Sequence, residues 1–110
     1  MDKLLFGTAG VPHSAKGRST RTGIERIAEL GLGCMEVEFV RGVKMGMESA
    51  HAVGEAASNL GIRLSAHGPY WINLNSKEAP KVAASRDYIL QTARAASAFK
   101  GRNITFHAAF

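Results

Sequence analysis

The fold is decided by a pattern that is clearest in GIRLSAHGPY, residues 61–70, where a glycine precedes a short apolar strand. The same order occurs in GLGCMEVEFV at residues 31–40 and in GRNITFHAAF at residues 101–110. Before each glycine, apolar residues recur three and four positions apart, as at Ile24 and Ile27, and this spacing predicts a helix. Glycine just past such a segment supplies the left-handed conformation that ends a helix. The chain is therefore predicted to contain three helix–strand units.

A further strand is predicted from Leu4 to Ala9, so that four strands alternate with three helices in an α/β fold. Such alternation indicates a parallel sheet with right-handed crossovers. No GxGxxG or GK[ST] motif follows the first strand, which favours a (β/α)8 TIM barrel over an open nucleotide-binding sheet. Because a complete barrel takes about 250 residues, residues 1–110 are expected to form one domain. We expect that domain to be the N-terminal half of a barrel in a truncated chain.

The third helix is expected to run from a cap at Ser76 to Phe99, with Pro80 in its first turn. The second is expected to end at Asn59 to Gly61. A half barrel of this kind leaves two sheet edges unpaired, and self-association is one way to cover them.

The composition is that of an ordinary soluble globular protein, with 45% hydrophobic and 21% charged residues. No apolar run approaches the roughly 20 residues that a membrane-spanning helix requires, and the N-terminus does not resemble a secretory signal. A cytoplasmic location and no membrane partner are therefore expected. The lone Cys34 excludes an internal disulfide, and its apolar strand predicts a buried, unreactive thiol.

The formal net charge is +5, from 14 basic and 9 acidic residues, which is compatible with a polyanionic partner. Lys16, Arg18 and Arg21 crowd one loop, and Arg41 and Lys44 lie in another. Charge clusters of this size are more often solvated loop surface, so phosphate contact is the less favoured interpretation of the charges alone.

Two histidines hold matching positions, since His67 lies six residues after Gly61 and His107 six residues after Gly101. In a barrel this places both imidazoles at the C-terminal ends of successive strands, where such folds build their active sites. Neighbouring strands are about 4.8 Å apart, so both rings can reach one zinc-like ion through bonds of about 2.1 Å. A lone histidine is more often a hydrogen-bonded core or rim residue, but the matched pair favours a metal site.

The loop after His67 carries the adjacent aromatic residues Tyr70 and Trp71. Exposed rings at this end of a barrel indicate a stacking surface for nucleobases. The alternative is that Trp71 packs beneath the third helix.

Glu36 and Glu38 alternate along the second strand and therefore share one face. Two carboxylates on one face suit metal binding or acid–base chemistry. They could equally pair with Arg41 or Lys44 near the strand end.

A family resemblance lies in four segments: MEVEFVRGV at 35–43, RLSAHGPYWINLNS at 63–76, SRDYILQTAR at 85–94 and ITFHAAF at 104–110. They resemble the endonuclease IV (apurinic endonuclease) family, particularly its archaeal branch, and cover the first half of a member. Members of that family are (β/α)8 barrels that hold three zinc ions and cut the DNA backbone 5′ of an abasic site. The resemblance therefore implies a zinc-dependent endonuclease of base-excision repair, with abasic double-stranded DNA as its partner.

The resemblance also implies a partial metal site. His67 and His107 match two histidines that bind one zinc together with a bridging glutamate. That glutamate and the remaining ligands belong to the second half of the family's barrel. We therefore expect this chain alone to bind metal weakly and to catalyse poorly.

The same resemblance implies a DNA-binding surface. Tyr70 and Trp71 match a loop whose side chains enter the base stack at the abasic site. Arg41 or Lys44 matches a basic residue inserted from the loop after the second strand. Two alternatives remain open at this point, namely a metal-dependent sugar isomerase or epimerase with the same barrel, and an inactive half-barrel fragment that associates with itself or a second chain.

Overall fold

The computed structural model describes residues 3–110, in which strands and helices alternate along the chain. The four strands form one parallel sheet in the order β1-β2-β3-β4. This is the half-barrel architecture that the sequence predicted. The elements are β1 Gly7–Ala9, α1 Thr20–Glu29, β2 Cys34–Glu38, α2 Met47–Asn59, β3 Arg63–His67, α3 Ala79–Ala98 and β4 Ile104–Thr105.

The two faces of the sheet differ in chemistry because side chains alternate along each strand. Met35 and Val37 of β2 and Leu64 and Ala66 of β3 are buried on one face. They join one apolar cluster with residues from all three helices, namely Ile24, Ile27, Ala50, Val53, Ala57, Ala95 and Ala96. The opposite face, which we call the open face, is mostly polar and carries Cys34, Glu36, Glu38, Arg63, Ser65, His67 and Thr105.

Helix ends follow the predicted signals in α1 and α2. The Ser19 hydroxyl caps α1 by accepting a hydrogen bond of 3.1 Å from the Thr22 backbone N–H. Gly31 and Gly61 follow α1 and α2 with φ of 74° and 70°, the left-handed conformation expected of a helix-ending glycine.

The third helix ends as predicted, with Phe99 as its C-cap, but its N-cap and the left-handed residue after it differ from the prediction. Its N-cap is Glu78, not Ser76, whose hydroxyl instead accepts a hydrogen bond from the Glu78 backbone N–H just before the helix. The left-handed residue after it is Lys100, with φ of 66°, rather than Gly101. Gly101 is required for a different reason, since a Cβ there would lie 2.8 Å from the Phe99 ring.

The first strand is shorter than predicted and begins at Gly7 rather than Leu4. It pairs only with β2, over three residues, and Leu4 and Phe6 are exposed beside it. Cys34 is only half-buried, because it lies on the open face rather than in the apolar cluster, so the prediction of a buried thiol was wrong. Within residues 3–110 no helix has the length and apolar character needed to cross a membrane.

Candidate functional site

The structure brings His67 and His107 together at the C-terminal end of the sheet. His67 is the last residue of β3, and His107 follows β4 by two residues. Their ring centroids are 5.2 Å apart and the rings are inclined by 49°. The two side chains therefore face one region of space, as a shared ligand would require.

His67 and His107 each lie six residues after a glycine, but they are not opposite each other in the sheet. The register partner of His67 on β4 is Thr105, so His107 lies two residues further along. The difference arises partly because the left-handed residue after the third helix is Lys100, one residue before Gly101. Since side chains alternate, a shift of two residues keeps His107 on the face of His67.

One ring nitrogen of His67 is held by the backbone. Nδ1 lies 2.8 Å from the Gly68 carbonyl oxygen, to which it donates a hydrogen bond when it carries the proton. That tautomer leaves Nε2 with a free lone pair. A backbone carbonyl that orients the second nitrogen in this way is the usual support of a metal-binding histidine.

The ring separation fits a shared metal ion. Two imidazoles that bind one tetrahedral ion through bonds of about 2.1 Å have centroids about 5.2 Å apart, because each centroid lies about 3.2 Å from the ion. The observed separation is 5.2 Å. Among residues 3–110, no group of three or more His, Cys, Asp or Glu side chains is placed to hold a metal. The pair therefore fits part of a ligand set of three or four.

Glu38 lies beside the histidines, because it is the register partner of His67 on β2. Its carboxylate extends over the end of β1, where a Cβ on Gly10 would be 3.2 Å from Oε2. Glu38, His67, Tyr70 and His107 line one shallow depression of about 250 Å³.

Glu36 lies two residues deeper on the same strand face and is half-buried. Burial raises the pKa of its carboxyl above the usual 4.5. The nearby His67 lowers that pKa, and a hydrogen bond with Glu38 together with its like charge raises it. Neither glutamate forms an ion pair with Arg41 or Lys44 in the described part of the chain.

The two adjacent aromatic residues have different surroundings. Tyr70 is 58% exposed and borders the depression. Trp71 is half-buried, and its ring stands edge-on to Tyr70 at 5.3 Å and to Tyr88 of α3 at 5.6 Å. Tyr70 is therefore placed to meet a ligand, whereas Trp71 packs between the loop and α3.

Arg41 and Lys44 are exposed in the loop between β2 and α2 and do not line the depression. Other basic residues lie nearer to it. His13, Lys16 and Arg18 of the loop between β1 and α1 line a cleft that also includes Glu38. The sequence signal for this proximity was the position of that loop, since loops after parallel strands meet at one end of a barrel.

Known proteins are similar to this chain in sequence and in fold. Residues 24–110 match the family model described as xylose isomerase-like TIM barrel. An uncharacterized protein of Methanocaldococcus jannaschii, MJ0133, is 42% identical over 104 residues, which are 94% of this chain and 36% of that protein. The chain thus spans about a third of that relative's length.

Three solved structures share the fold. A D-psicose 3-epimerase crystallised with D-fructose matches with a TM-score of 0.74 at 20% identity, over 92% of this chain and 37% of its own. The D-psicose 3-epimerase of Clostridium cellulolyticum H10, with D-tagatose, matches at 0.72 and 14%, over 92% and 37%. SacUVDE matches at 0.64 and 13%, over 94% and 49%. The family match covers most of this sequence, and the chain therefore belongs to the xylose isomerase-like TIM barrel family.

Proposed function

We propose that this chain supplies the first strands of a metal-dependent sugar isomerase or epimerase. The observation that carries the proposal is the meeting of a carboxylate, Glu38, with the imidazoles of His67 and His107 around one depression. Isomerisation and epimerisation of a ketose require a base next to a group that stabilises negative charge on oxygen. The depression holds candidates for both roles.

The metal ion, when bound by His67 and His107 with ligands from outside this chain, would polarise the substrate carbonyl or hydroxyl oxygen. Zinc suits the two imidazole nitrogens. Glu38, whose carboxylate borders the depression, is the base that removes a proton from the carbon next to the carbonyl. The electron pair of the broken C–H bond passes to the carbonyl oxygen, and a proton from Glu38 or from solvent returns to carbon to give the product. Glu36 lies behind it, and burial raises the pKa of its carboxyl, which therefore holds a proton to higher pH than an exposed glutamate does and hydrogen-bonds Glu38.

The similarity to the two epimerases supports the choice of a sugar substrate. Both match this chain with higher TM-scores than SacUVDE does. The packing of Trp71 against Tyr88 of α3 is a second supporting observation, because a ring held in this way is less available to enter a base stack.

A second candidate function is zinc-dependent cleavage of duplex DNA at abasic sites. The observation in its favour is the exposed Tyr70 beside the histidine pair, since exposed rings near a metal site can stack on nucleobases. In this case Arg41 or Lys44 would contact the DNA backbone from the loop after β2.

The two candidates are separated by parallel assays of the complete metal-loaded protein. With D-fructose or D-tagatose in D₂O, we expect deuterium to enter the carbon next to the carbonyl, measured by NMR. Glu38→Gln should remove this exchange, whereas Glu48→Gln, an exposed carboxylate on α2, should not. Exchange that persists in Glu38→Gln contradicts the assignment of the base.

The second assay uses a duplex with one abasic site, with and without chelator. Chelator-sensitive cleavage of this duplex, with no exchange on either ketose, would replace the sugar enzyme by the endonuclease.

A further inference from the structure

The loop between β1 and α1 lines a cleft of about 850 Å³, and the basic residues of this loop have no role in the proposed reaction. Val11, Pro12 and Ala15 contribute apolar lining from the loop, and Glu38 and Val40 line the cleft from the C-terminal end of β2. Glu38 also lines the depression of His67 and His107. The cleft and the depression therefore share a border, and one small molecule can extend from one into the other.

The charge of the cleft is mainly positive. His13, Lys16 and Arg18 line it, and Glu38 is the single acidic side chain among its lining residues within the described part of the chain. Lys16 and Arg18 take part in no ion pair within residues 3–110. The first turn of α1, which follows the loop, contains no acidic residue. Among the described residues, two basic side chains thus line the cleft beside one carboxylate.

The loop is held in place by hydrogen bonds of its own. The Pro12 carbonyl accepts a bond of 3.0 Å from the Ala15 N–H. The Ser14 hydroxyl accepts one of 2.9 Å from Nε of Arg26 on α1. A loop anchored to a helix presents its basic side chains from a fixed backbone, which lowers the entropic cost of binding.

We propose that this cleft binds the phosphate group of a phosphorylated sugar, whose carbon chain reaches Glu38, His67 and His107. This rests on the proposed sugar isomerase or epimerase and specifies its substrate class. A phosphate monoester carries about −1.5 to −2 charges at pH 7, which matches Lys16 and Arg18. Arg and Lys donate charge-assisted hydrogen bonds to phosphate oxygens. His13 adds a further donor when it is protonated.

A single phosphate fits the placement of the charges better than a DNA duplex does. The basic side chains of the cleft come from one short loop. A duplex presents a phosphate about every 3.4 Å along each strand and is usually bound by several separated basic residues. Arg41 and Lys44 lie outside both the cleft and the depression.

The test measures binding without turnover, using the ¹⁵N-labelled protein in chelator and following its amide resonances. D-fructose 6-phosphate and D-fructose differ only in the phosphate. We expect the phosphorylated sugar to bind about 100-fold more tightly, since two charge-assisted hydrogen bonds are involved. The shifts should centre on residues 13–19.

The variant Lys16→Gln/Arg18→Gln should reduce this preference to about threefold or less. The control Arg86→Ala/Arg94→Ala removes the same charge from exposed positions on α3 and should leave the preference intact. Equal affinity for the two sugars, or an equal loss in the control, overturns the proposal.

A third ligand, a 20-base-pair duplex, distinguishes the source of the phosphate. If the duplex displaces D-fructose 6-phosphate and binds more tightly, with an affinity that falls steeply with salt, the cleft serves DNA and the sugar-phosphate proposal is overturned. Phosphate binding with no deuterium exchange on either D-fructose or D-fructose 6-phosphate would instead refute the proposed reaction and leave the cleft assignment in place.

Discussion

The two faces of the sheet are built from alternate residues of the same strands, yet they serve different purposes. On one face Met35, Val37 and Leu64 are buried against the helices. On the open face the intervening positions carry Glu36 and Ser65, and no described helix covers them. Because neighbouring residues of a strand point to opposite faces, a single strand contributes both to the apolar core and to the functional site.

Stability and chemistry are therefore separable in this chain. Apolar burial against the helices contributes most of the folding free energy. The polar residues of the open face contribute less to it, since none of them is fully buried. The large changes in the free energy of unfolding should therefore come from substitutions on the helix-facing side, whereas substitutions on the open face should mainly change ligand binding.

The largest expected effect comes from neighbouring substitutions in β3. Leu64→Ala should lower the free energy of unfolding by about 2–5 kcal/mol, because it removes a buried side chain and leaves a cavity. Ser65→Ala, on the open face, should change it by no more than about 0.5 kcal/mol. Urea denaturation followed by circular dichroism measures both. Equal destabilisation by the two would show that the open face is not accessible in solution.

The next effect concerns metal binding on the open face. His67→Ala removes a direct ligand of the zinc ion. Loss of an outer-shell partner weakens metal binding roughly 10–100-fold, and we expect a larger loss of affinity here. His107→Ala should act similarly, and His51→Ala, on the exposed side of α2, should have no effect. Calorimetric titration with zinc gives the affinities. If either the His67 or the His107 variant binds zinc as tightly as the wild type, the two histidines do not share a metal site.

Steric crowding on the helix-facing side predicts a smaller effect. A Cβ on Gly54 of α2 would lie 2.8 Å from the Phe99 Cα, so Gly54→Ala should destabilise the fold by about 1–3 kcal/mol. The control is Gly46→Ser at the N-cap of the same helix, where nothing lies within 4 Å. This substitution should stabilise the fold by roughly a few tenths of a kcal/mol, because the serine hydroxyl can cap the helix. A stable Gly54→Ala variant would mean that Phe99 moves away from α2.

The helix-facing side was predicted well from sequence because it depends on periodicity. The spacing of Ile24 and Ile27 and the glycines after two helices are local signals that directly specify elements. The third helix shows the limit of such signals. Gly101 resembles the other helix-ending glycines, but its role is to let Phe99 pack closely, and this depends on tertiary contacts.

The open face was predictable only in part. Spacing identified His67 and His107 as a pair, but their relative level depends on strand register, which places His67 opposite Thr105. The different surroundings of Tyr70 and Trp71 depend on contact with α3, which no local pattern encodes. The cleft beside Glu38 likewise arises from elements far apart in sequence.

The smallest predicted effect is a pH dependence of the stability, which arises from the carboxyl group of Glu36 on the open face. The pKa of Glu36 is raised by burial, so the native state keeps a proton that the unfolded chain releases above about pH 4.5. The stability from this carboxyl is present below that pH and is lost as pH rises through the raised value. Glu36→Gln, which cannot ionise, should therefore gain stability relative to the wild type across this window. Melting temperatures in chelator from pH 3.5 to 7.5 measure the difference, with the exposed Glu25→Gln on α1 as control. If the difference in melting temperature between Glu36→Gln and the wild type does not change with pH, or shrinks as pH rises, the attraction of His67 for the Glu36 carboxylate outweighs the effects of burial and of Glu38. The open face would then accommodate Glu36 and Glu38 with both carboxyl groups ionised.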